Sequence, residues 1–323
     1  MLYLLTFHPI FKERLWGGRN LERLYGKKLP ATKPIGESWE ISDRPGNASV
    51  IANGPLAGQN LRWLMEHHAG ELLGDARALN GRFPLLIKLL DAQEKLSLQV
   101  HPPADKATAL RGEPKTELWY IADAAPGAEL LVGLKRGVTR GEFERKIRDG
   151  SVADCFHRVG VQSGDTMFLP SGRVHAIGAG LVIFEIQQNS DTTYRVFDWN
   201  RVGLDGQPRE LHVAESLASI DFNDFEPGLA HGEFSGDANI QRRELVRGDL
   251  FTVESWQLAK GANSGLKPRT LQILASLSGQ LRVQTKSCAV ELSPGGFCLV
   301  PACLGDVTVY AENAASLLHV QAG

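Results

Sequence analysis

Four side chains that carry lone pairs stand in or beside short apolar runs: Gln99, His101, Glu117 and His175. Along Leu96-Ser97-Leu98-Gln99-Val100-His101, side chains of a strand alternate, so Leu98 and Val100 share one face while Gln99 and His101 share the other. Pro102 ends that strand directly after His101 and sets the pair at a rim. In Lys115-Thr116-Glu117-Leu118-Trp119-Tyr120-Ile121, Glu117 falls on the face of Trp119 and Ile121. A carboxylate on such a face points inward and needs a partner, and a metal ion is one such partner. Two imidazoles, a carboxylate and an amide suit a divalent cation that is neither purely hard nor purely soft. Zn²⁺, one per chain, is the default, and Fe²⁺, Mn²⁺ or Co²⁺ fits the same donors. Spacing alone does not bring the four together, and the competing reading is a set of satisfied core residues.

The elements that must position these groups come next. Gly164-Asp165 turns into an apolar run, Thr166 to Leu169, which Pro170, Ser171 and Gly172 break just before His175. A second apolar run, Leu181 to Ile186, carries Glu185 near its end, and the polar tail beyond it holds Asp191, Arg195, Asp198 and Arg201. Short β-rich runs with polar residues at their ends describe a small barrel with a site inside. On this reading the 181–186 strand is the spacer that holds His175 and Arg195 at a fixed distance. Phe83 to Leu90 is apolar enough for a buried strand except at Lys88, whose ammonium either reaches solvent past the strand edge or meets a functional acceptor. Glu37-Ser38-Trp39 reads as an edge strand with a packed tryptophan.

Periodicity changes over 59–79, where Leu61, Leu64, Met65, His68 and Leu72 follow helical spacing. His67 and His68 diverge by about 100° on such a helix and do not form a ligand pair. Thr139 and Glu142 open a second helical insertion with a capping-box pattern, and it is expected to run to about residue 159. A third helical stretch spans Leu211 to Ile220, and 223–243 is loop-like. From Glu244 on the chain is β-rich, with strands expected near 250–257, 271–276, 280–285, 297–301, 307–310 and 317–320. Its single histidine, His319, has no cluster of ligand types around it in sequence.

Of the 323 residues, 43% are hydrophobic and 22% charged, which is enough for a sizeable core in one enlarged or two ordinary domains. A net charge of −2 gives no general pull toward nucleic acid or membrane. No apolar segment approaches the roughly 20 residues needed to cross a bilayer. Cys155, Cys288, Cys298 and Cys303 show no CxxC spacing and read as reduced, which favours the cytoplasm. A monomer or weak homo-oligomer acting on a small molecule is expected.

Gly164, Pro170, Gly172 and His175 together resemble the second motif of the cupin superfamily, with Ala179 where that motif usually has asparagine. The longer pattern is more specific. QVHPP at 99–103, KTELWYI at 115–121, GDTMFLPSGRVHAIGAG at 164–180 and EIQQNSDTTYRVFDWNR at 185–201 resemble type I mannose-6-phosphate isomerase in its short bacterial form. WGG at 16–18, GESWE at 36–40 and LIKLLDA at 86–92 match it as well. The resemblance covers most of residues 1–225. It implies a mainly β fold: a catalytic cupin (jelly-roll) barrel over 1–235 with helical insertions, and a degenerate cupin-like barrel over 236–323. It further implies Gln99, His101, Glu117 and His175 as zinc ligands, Arg195 as the active-site arginine and Lys115 as an active-site lysine. A histidine that precedes this lysine in longer members is Pro114 here, so no role of that histidine carries over.

The implied reaction interconverts mannose 6-phosphate and fructose 6-phosphate by removing a proton alpha to a carbonyl, with the metal and Arg195 stabilising the enediolate charge. Glu185 is a candidate base and substrate contact, and Lys88, Arg173 and Arg201 are candidate phosphate donors. A cupin oxygenase and a non-catalytic sugar-phosphate-binding cupin are the alternatives.

Overall fold

The computed structural model describes residues 2–323. Eleven strands build the two main sheets of the first half: β1 (Ile10–Gly18), β2 (Ile35–Ile41), β3 (Leu85–Ala92), β4 (Leu98–Val100), β5 (Glu117–Ala124), β6 (Glu129–Leu134), β7 (Phe156–Gly160), β8 (Thr166–Leu169), β9 (His175–Ile177), β10 (Leu181–Gln188) and β11 (Tyr194–Phe197). They form two antiparallel sheets, one ordered β8-β5-β10-β3-β2-β1 and the other β7-β6-β9-β4-β11. The sheets face each other as an open jelly roll, and hydrogen bonding does not close them into one barrel.

The larger sheet is buried on both faces. Leu90, Trp119, Ile121 and Ile183 point into the jelly roll with Leu130 and Ile177 of the smaller sheet. Leu85, Ile87, Leu89, Phe184 and Ile186 point the other way, onto Leu271, Ile273, Leu318 and Val320 of the second half. Burial on both faces is why β3 and β10 read as near-continuous apolar runs and not as alternating ones. The second half repeats the plan with a six-stranded and a four-stranded sheet between residues 235 and 322. Residue 5 joins it, exchanging backbone hydrogen bonds of 3.0 and 2.8 Å with Leu299.

Helix Leu61–Leu73 follows the predicted spacing, with Asn60 capping its first turn through the Trp63 N–H at 2.8 Å. The insertion after Thr139 is helical only over Arg140–Asp149, where Gly150 stops it with φ near 82°. A 3-10 turn over Val152–Cys155 follows, and 156–160 is strand β7, an edge position the helical reading missed. Helix Val213–Ser219 lies inside the expected 211–220 stretch.

The loop expected over 223–243 ends early, because strand Ile240–Arg247 starts within it. Strands Asn263–Leu266 and Ala289–Leu292 were not expected, being short and rich in small or polar residues. His319 has neighbours that sequence distance hid: Glu254 lies 3.4 Å from its Nδ1 and Gln272 2.9 Å from its Nε2. Trp39 is not on an edge, since β2 is hydrogen-bonded on both sides, to β1 and β3.

Candidate active site

Sheet register brings the distant side chains together. His175 on β9 and Arg195 on β11 are each paired directly with Gln99 on β4, so three strands set His175, Gln99 and Arg195 in one row. The spacer between His175 and Arg195 is therefore Gln99; the 181–186 strand lies in the opposite sheet. Gly172, with φ near 93°, makes the turn that delivers β9, and its N–H bonds to the His101 carbonyl at 2.9 Å.

His101 follows the end of β4 and is buried, as are His175 and Glu117. The His101 Nδ1–H donates to the Thr192 carbonyl at 2.8 Å and the His175 Nδ1–H to the Arg173 carbonyl at 2.9 Å. Because a carbonyl only accepts, each neutral ring carries its lone pair on Nε2. Both lone pairs face Glu117, which comes from the opposite sheet: Oε1 lies 3.7 Å from His101 Nε2 and 3.5 Å from His175 Nε2. The Gln99 amide is 3.2 Å from His175 Nε2. Ligand atoms of His101, Glu117 and His175 all lie within 4.8 Å of one another.

Burial, reinforced by the Lys115 ammonium, lowers the His101 pKa to about 4, and burial also lowers that of His175, so both rings are neutral at pH 7. Burial opposes the charge on Glu117, yet Lys115 and His101 outweigh it and hold the carboxyl well below its usual range. Its Oε1 is buried with no hydrogen-bond donor. A carboxylate oxygen and two imidazole lone pairs pointed at one another repel unless a cation lies between them. This donor set fits a divalent metal ion.

An alternating row of charges extends from this cluster. The Lys115 ammonium lies 2.7 Å from Glu117 Oε2 and 4.0 Å from Glu185 Oε1. Lys88 lies 2.9 Å from Glu185 Oε2 and 3.9 Å from Glu37 Oε2, and Arg14 Nε closes the row 2.6 Å from Glu37 Oε1. Burial works against the Lys115 ammonium, but Glu117 and Glu185 more than offset it, so its pKa is raised. Lys88 is thus not a lysine that escapes to solvent; only 5% of its side chain is exposed.

The row borders a cavity of about 600 Å³ whose wall also includes Gln99, Trp119, Asp191, Arg195 and Arg209. Arg195 donates from Nη1 to the Glu210 carbonyl at 2.8 Å, while its Nε is buried without an acceptor. Arg173 and Arg201 are already committed, Arg173 to Asp224 through two bonds of 2.8 Å and Arg201 to Asp198 at 2.8 Å. Neither lines the cavity.

Over residues 4–132 the chain matches the family model described as phosphomannose isomerase type I, catalytic domain. It is 37% identical to mannose-6-phosphate isomerase ManA of Bacillus subtilis, over 97% of this chain and 98% of that one. The chain belongs to the type I phosphomannose isomerase family. Its mainly β, cupin-type fold agrees. A mannose-6-phosphate isomerase from Streptococcus mutans is 33% identical over 94% of this chain and 95% of its own length. The solved structure of the mannose 6-phosphate isomerase from Bacillus subtilis superposes with a TM-score of 0.90, at 31% identity over 99% of both chains. Type I phosphomannose isomerases use a metal cofactor, and in this chain His101, Glu117 and His175 form a cluster that could hold one.

Sequence reasoning gave no site role to Arg14, Glu37, Asp191 or Arg209, all of which line the cavity. Glu37 was legible as a carboxylate two residues from Trp39, the pattern that marked Glu117 beside Trp119. Arg14, two residues before Trp16, shares that spacing; Arg209, outside any expected strand, carried no such sign.

Proposed function

We propose that this chain is an enzyme that interconverts mannose 6-phosphate and fructose 6-phosphate through an enediolate. The observation that carries the reading is the buried, unpartnered Glu117 Oε1 facing two imidazole lone pairs, beside Gln99 and Lys115 of a cavity walled by both basic and acidic side chains. Relatives at 36–37% identity carry mannose-6-phosphate isomerase in their names, which supports the choice of substrate. Gln99, His101, Glu117 and His175 would hold one divalent ion, with Zn²⁺ our assignment. Such an ion supplies Lewis-acid stabilisation of negative charge developing on the sugar oxygens.

The chain's own groups do the rest. Arg195 stays protonated at neutral pH, so it serves as a charge partner and not as a base. Its free Nε–H is a donor for a substrate oxygen. Lys115, whose ammonium is held protonated, donates to an oxygen of the substrate. Lys88 binds the sugar. Glu185, read from sequence as a candidate base, has its oxygens beside Lys88 and the Trp119 indole N–H at 3.0 Å, and we assign it to positioning. Asp191 lines the cavity with no ion pair among the described residues, and we assign it the carbon-bound proton. Arg173 and Arg201 do not line the cavity; Arg209 does, and we assign it to the phosphate end through the N–H groups that its two 2.6 Å bonds to Asp198 leave over.

We place the catalytic unit at 1–235 and the second β unit at 236–323. No helix of the described residues is long and apolar enough to cross a membrane. Four free cysteines support a cytoplasmic setting.

A coupled assay on metal-analysed protein tests the reading, with mannose 6-phosphate run against glucose 6-phosphate and ribose 5-phosphate. Turnover of mannose 6-phosphate that EDTA abolishes and Zn²⁺ restores is the expected result. Full activity after verified metal removal would sink the metal's role, and turnover of ribose 5-phosphate alone would sink the substrate.

A further inference from the structure

Lys88 is flanked from both neighbouring strands. On β10 its register partner is Glu185, and on β2 it is Trp39, with Glu37 two residues away on the same face. The two carboxylates that bracket the ammonium are each braced by an indole: Trp119 Nε1–H donates to Glu185 at 3.0 Å and Trp39 Nε1–H to Glu37 at 2.6 Å. Arg14 adds a second brace on Glu37. This brace depends on a close approach of β1 to β2. A Cβ on Gly36 would sit 2.6 Å from the Arg14 Cβ and 2.6 Å from the Trp16 ring, so only glycine lets the strands lie this near.

Burying an ammonium costs several kcal/mol unless it is paired. One carboxylate, Glu185 at 2.9 Å, already pairs Lys88. A second at 3.9 Å, with its own two donors, is more than neutralisation requires. A lysine side chain is a flexible stem with a point charge that does not fix its own direction. Anions on two sides, each held rigid by an indole, do fix it, and the ammonium borders the cavity.

We propose that Glu37 is a positioning residue for the isomerisation and acts through Lys88, holding its ammonium where the sugar phosphate binds. The proposal rests on the reading of the cavity as the isomerase site. With Glu37 neutralised, Lys88 is drawn toward Glu185 and loses the aim that substrate binding uses.

The test is Glu37→Gln, which removes the charge and, with its one acceptor oxygen kept for the Trp39 indole, gives up the bond from Arg14. In the metal-loaded enzyme, KM for mannose 6-phosphate rises about tenfold, as for loss of one charged hydrogen bond. The kcat stays within about twofold, as for lost uniform binding. Bound metal is unchanged. Trp39→Phe, which leaves the charge but removes the brace, raises KM about threefold, a smaller share of the same hydrogen-bond energy. In a double-mutant cycle, Glu37→Gln adds less than about twofold on a Lys88→Met background. A merely structural pair would lower Tm in Glu37→Gln and leave KM alone, which overturns the proposal. Equal effects of Glu37→Gln with and without Lys88 overturn it too. If the wild type does not isomerise mannose 6-phosphate, the reaction reading fails by itself. The Glu37 proposal is then judged by calorimetric Kd for mannose 6-phosphate, which must still weaken about tenfold.

Discussion

Both halves of the molecule set a histidine, a tryptophan, a glutamate and a glutamine on the inner faces of neighbouring strands. In the first half, Trp119 meets His175 edge-on with ring centroids 5.3 Å apart. In the second, Trp256 and His319 lie 4.7 Å apart at an interplanar angle of 54°. The difference lies in what the ring nitrogens and the carboxylate oxygens meet. His319 has both ring nitrogens against oxygens, Glu254 at 3.4 Å and Gln272 at 2.9 Å, and Glu254 takes the Trp256 indole N–H at 2.8 Å as well. His101 and His175 give Nδ1–H to backbone carbonyls and turn Nε2 toward Glu117, with Lys115 Nζ 3.4 Å from the first and the Gln99 amide 3.2 Å from the second, and Glu117 keeps an oxygen with no donor. The same residue types therefore make a closed polar network in one place and an open set of donors in the other. What separates a ligand site from a satisfied core is the buried carboxylate oxygen that no donor reaches, not the inventory of residues.

The sharpest way to break this contrast is to remove one donor from each half. His175→Ala should strip the bound metal and bring isomerase activity to background, measured by metal analysis beside the coupled assay. His319→Ala should leave kcat and metal content within about twofold, as for a substitution remote from the transition state, and show itself only in stability. Metal lost from the His319 variant would end the comparison.

Arg195 comes next. It stands in the His175–Gln99 row but engages a carbonyl, not the donor cluster. Arg195→Ala should lower kcat about 100-fold, the order seen on removing one charge-stabilising donor, with bound metal unchanged. An unaltered kcat would remove it from the chemistry.

The smallest effect belongs to the second half. The hydrogen bond from His319 lowers the Glu254 pKa most, burial pushes back, and Trp256 adds to the lowering, for a net value of about 2. A carboxyl whose folded pKa lies below its unfolded value of 4.5 stabilises the protein above that value and loses this contribution as pH falls toward 2. Glu254→Gln should cost about 2 kcal/mol at pH 7, as for one hydrogen bond to a charged group. The gap from wild type in urea midpoints should shrink as pH falls below about 4.5. A gap that does not change with pH would mean that Glu254 is held by shape and not by charge.

How much of this was legible depended on what each residue's neighbours in sequence revealed. Glu117 was legible because Trp119 and Ile121 share its strand face, and His175 because proline and glycines announce the turn before it. Lys88 was half legible: its apolar run showed a buried strand, but not whether the ammonium left it for solvent or met a carboxylate, since Glu37 and Glu185 arrive from other strands. The spacer between His175 and Arg195 was misread for the same reason. Sequence order puts the 181–186 strand between them, and the jelly roll sends that strand to the opposite sheet. Strand β7 was hidden because Val152 to Val159 was read into the same helical insertion, although Gly150 already signals the stop of the helix that Thr139 opens. His319 was read as isolated because Glu254 and Gln272 are 65 and 47 residues away in the chain.

The row His175–Gln99–Arg195 works as a gauge. Its graduations are not side chains but whole strands, held about 4.8 Å apart by peptide hydrogen bonds. The step from the histidine to the arginine is two graduations, about 9.6 Å at the backbone. No substitution on these strands can move that spacing by a fraction. A sugar phosphate one carbon shorter misfits by less than one graduation, so the backbone cannot be recut to suit it. Any tuning for substrate length has to come from the reach of the side chain at the far mark. An arginine there offers several N–H positions along one rigid plane, whereas a lysine would offer a single point.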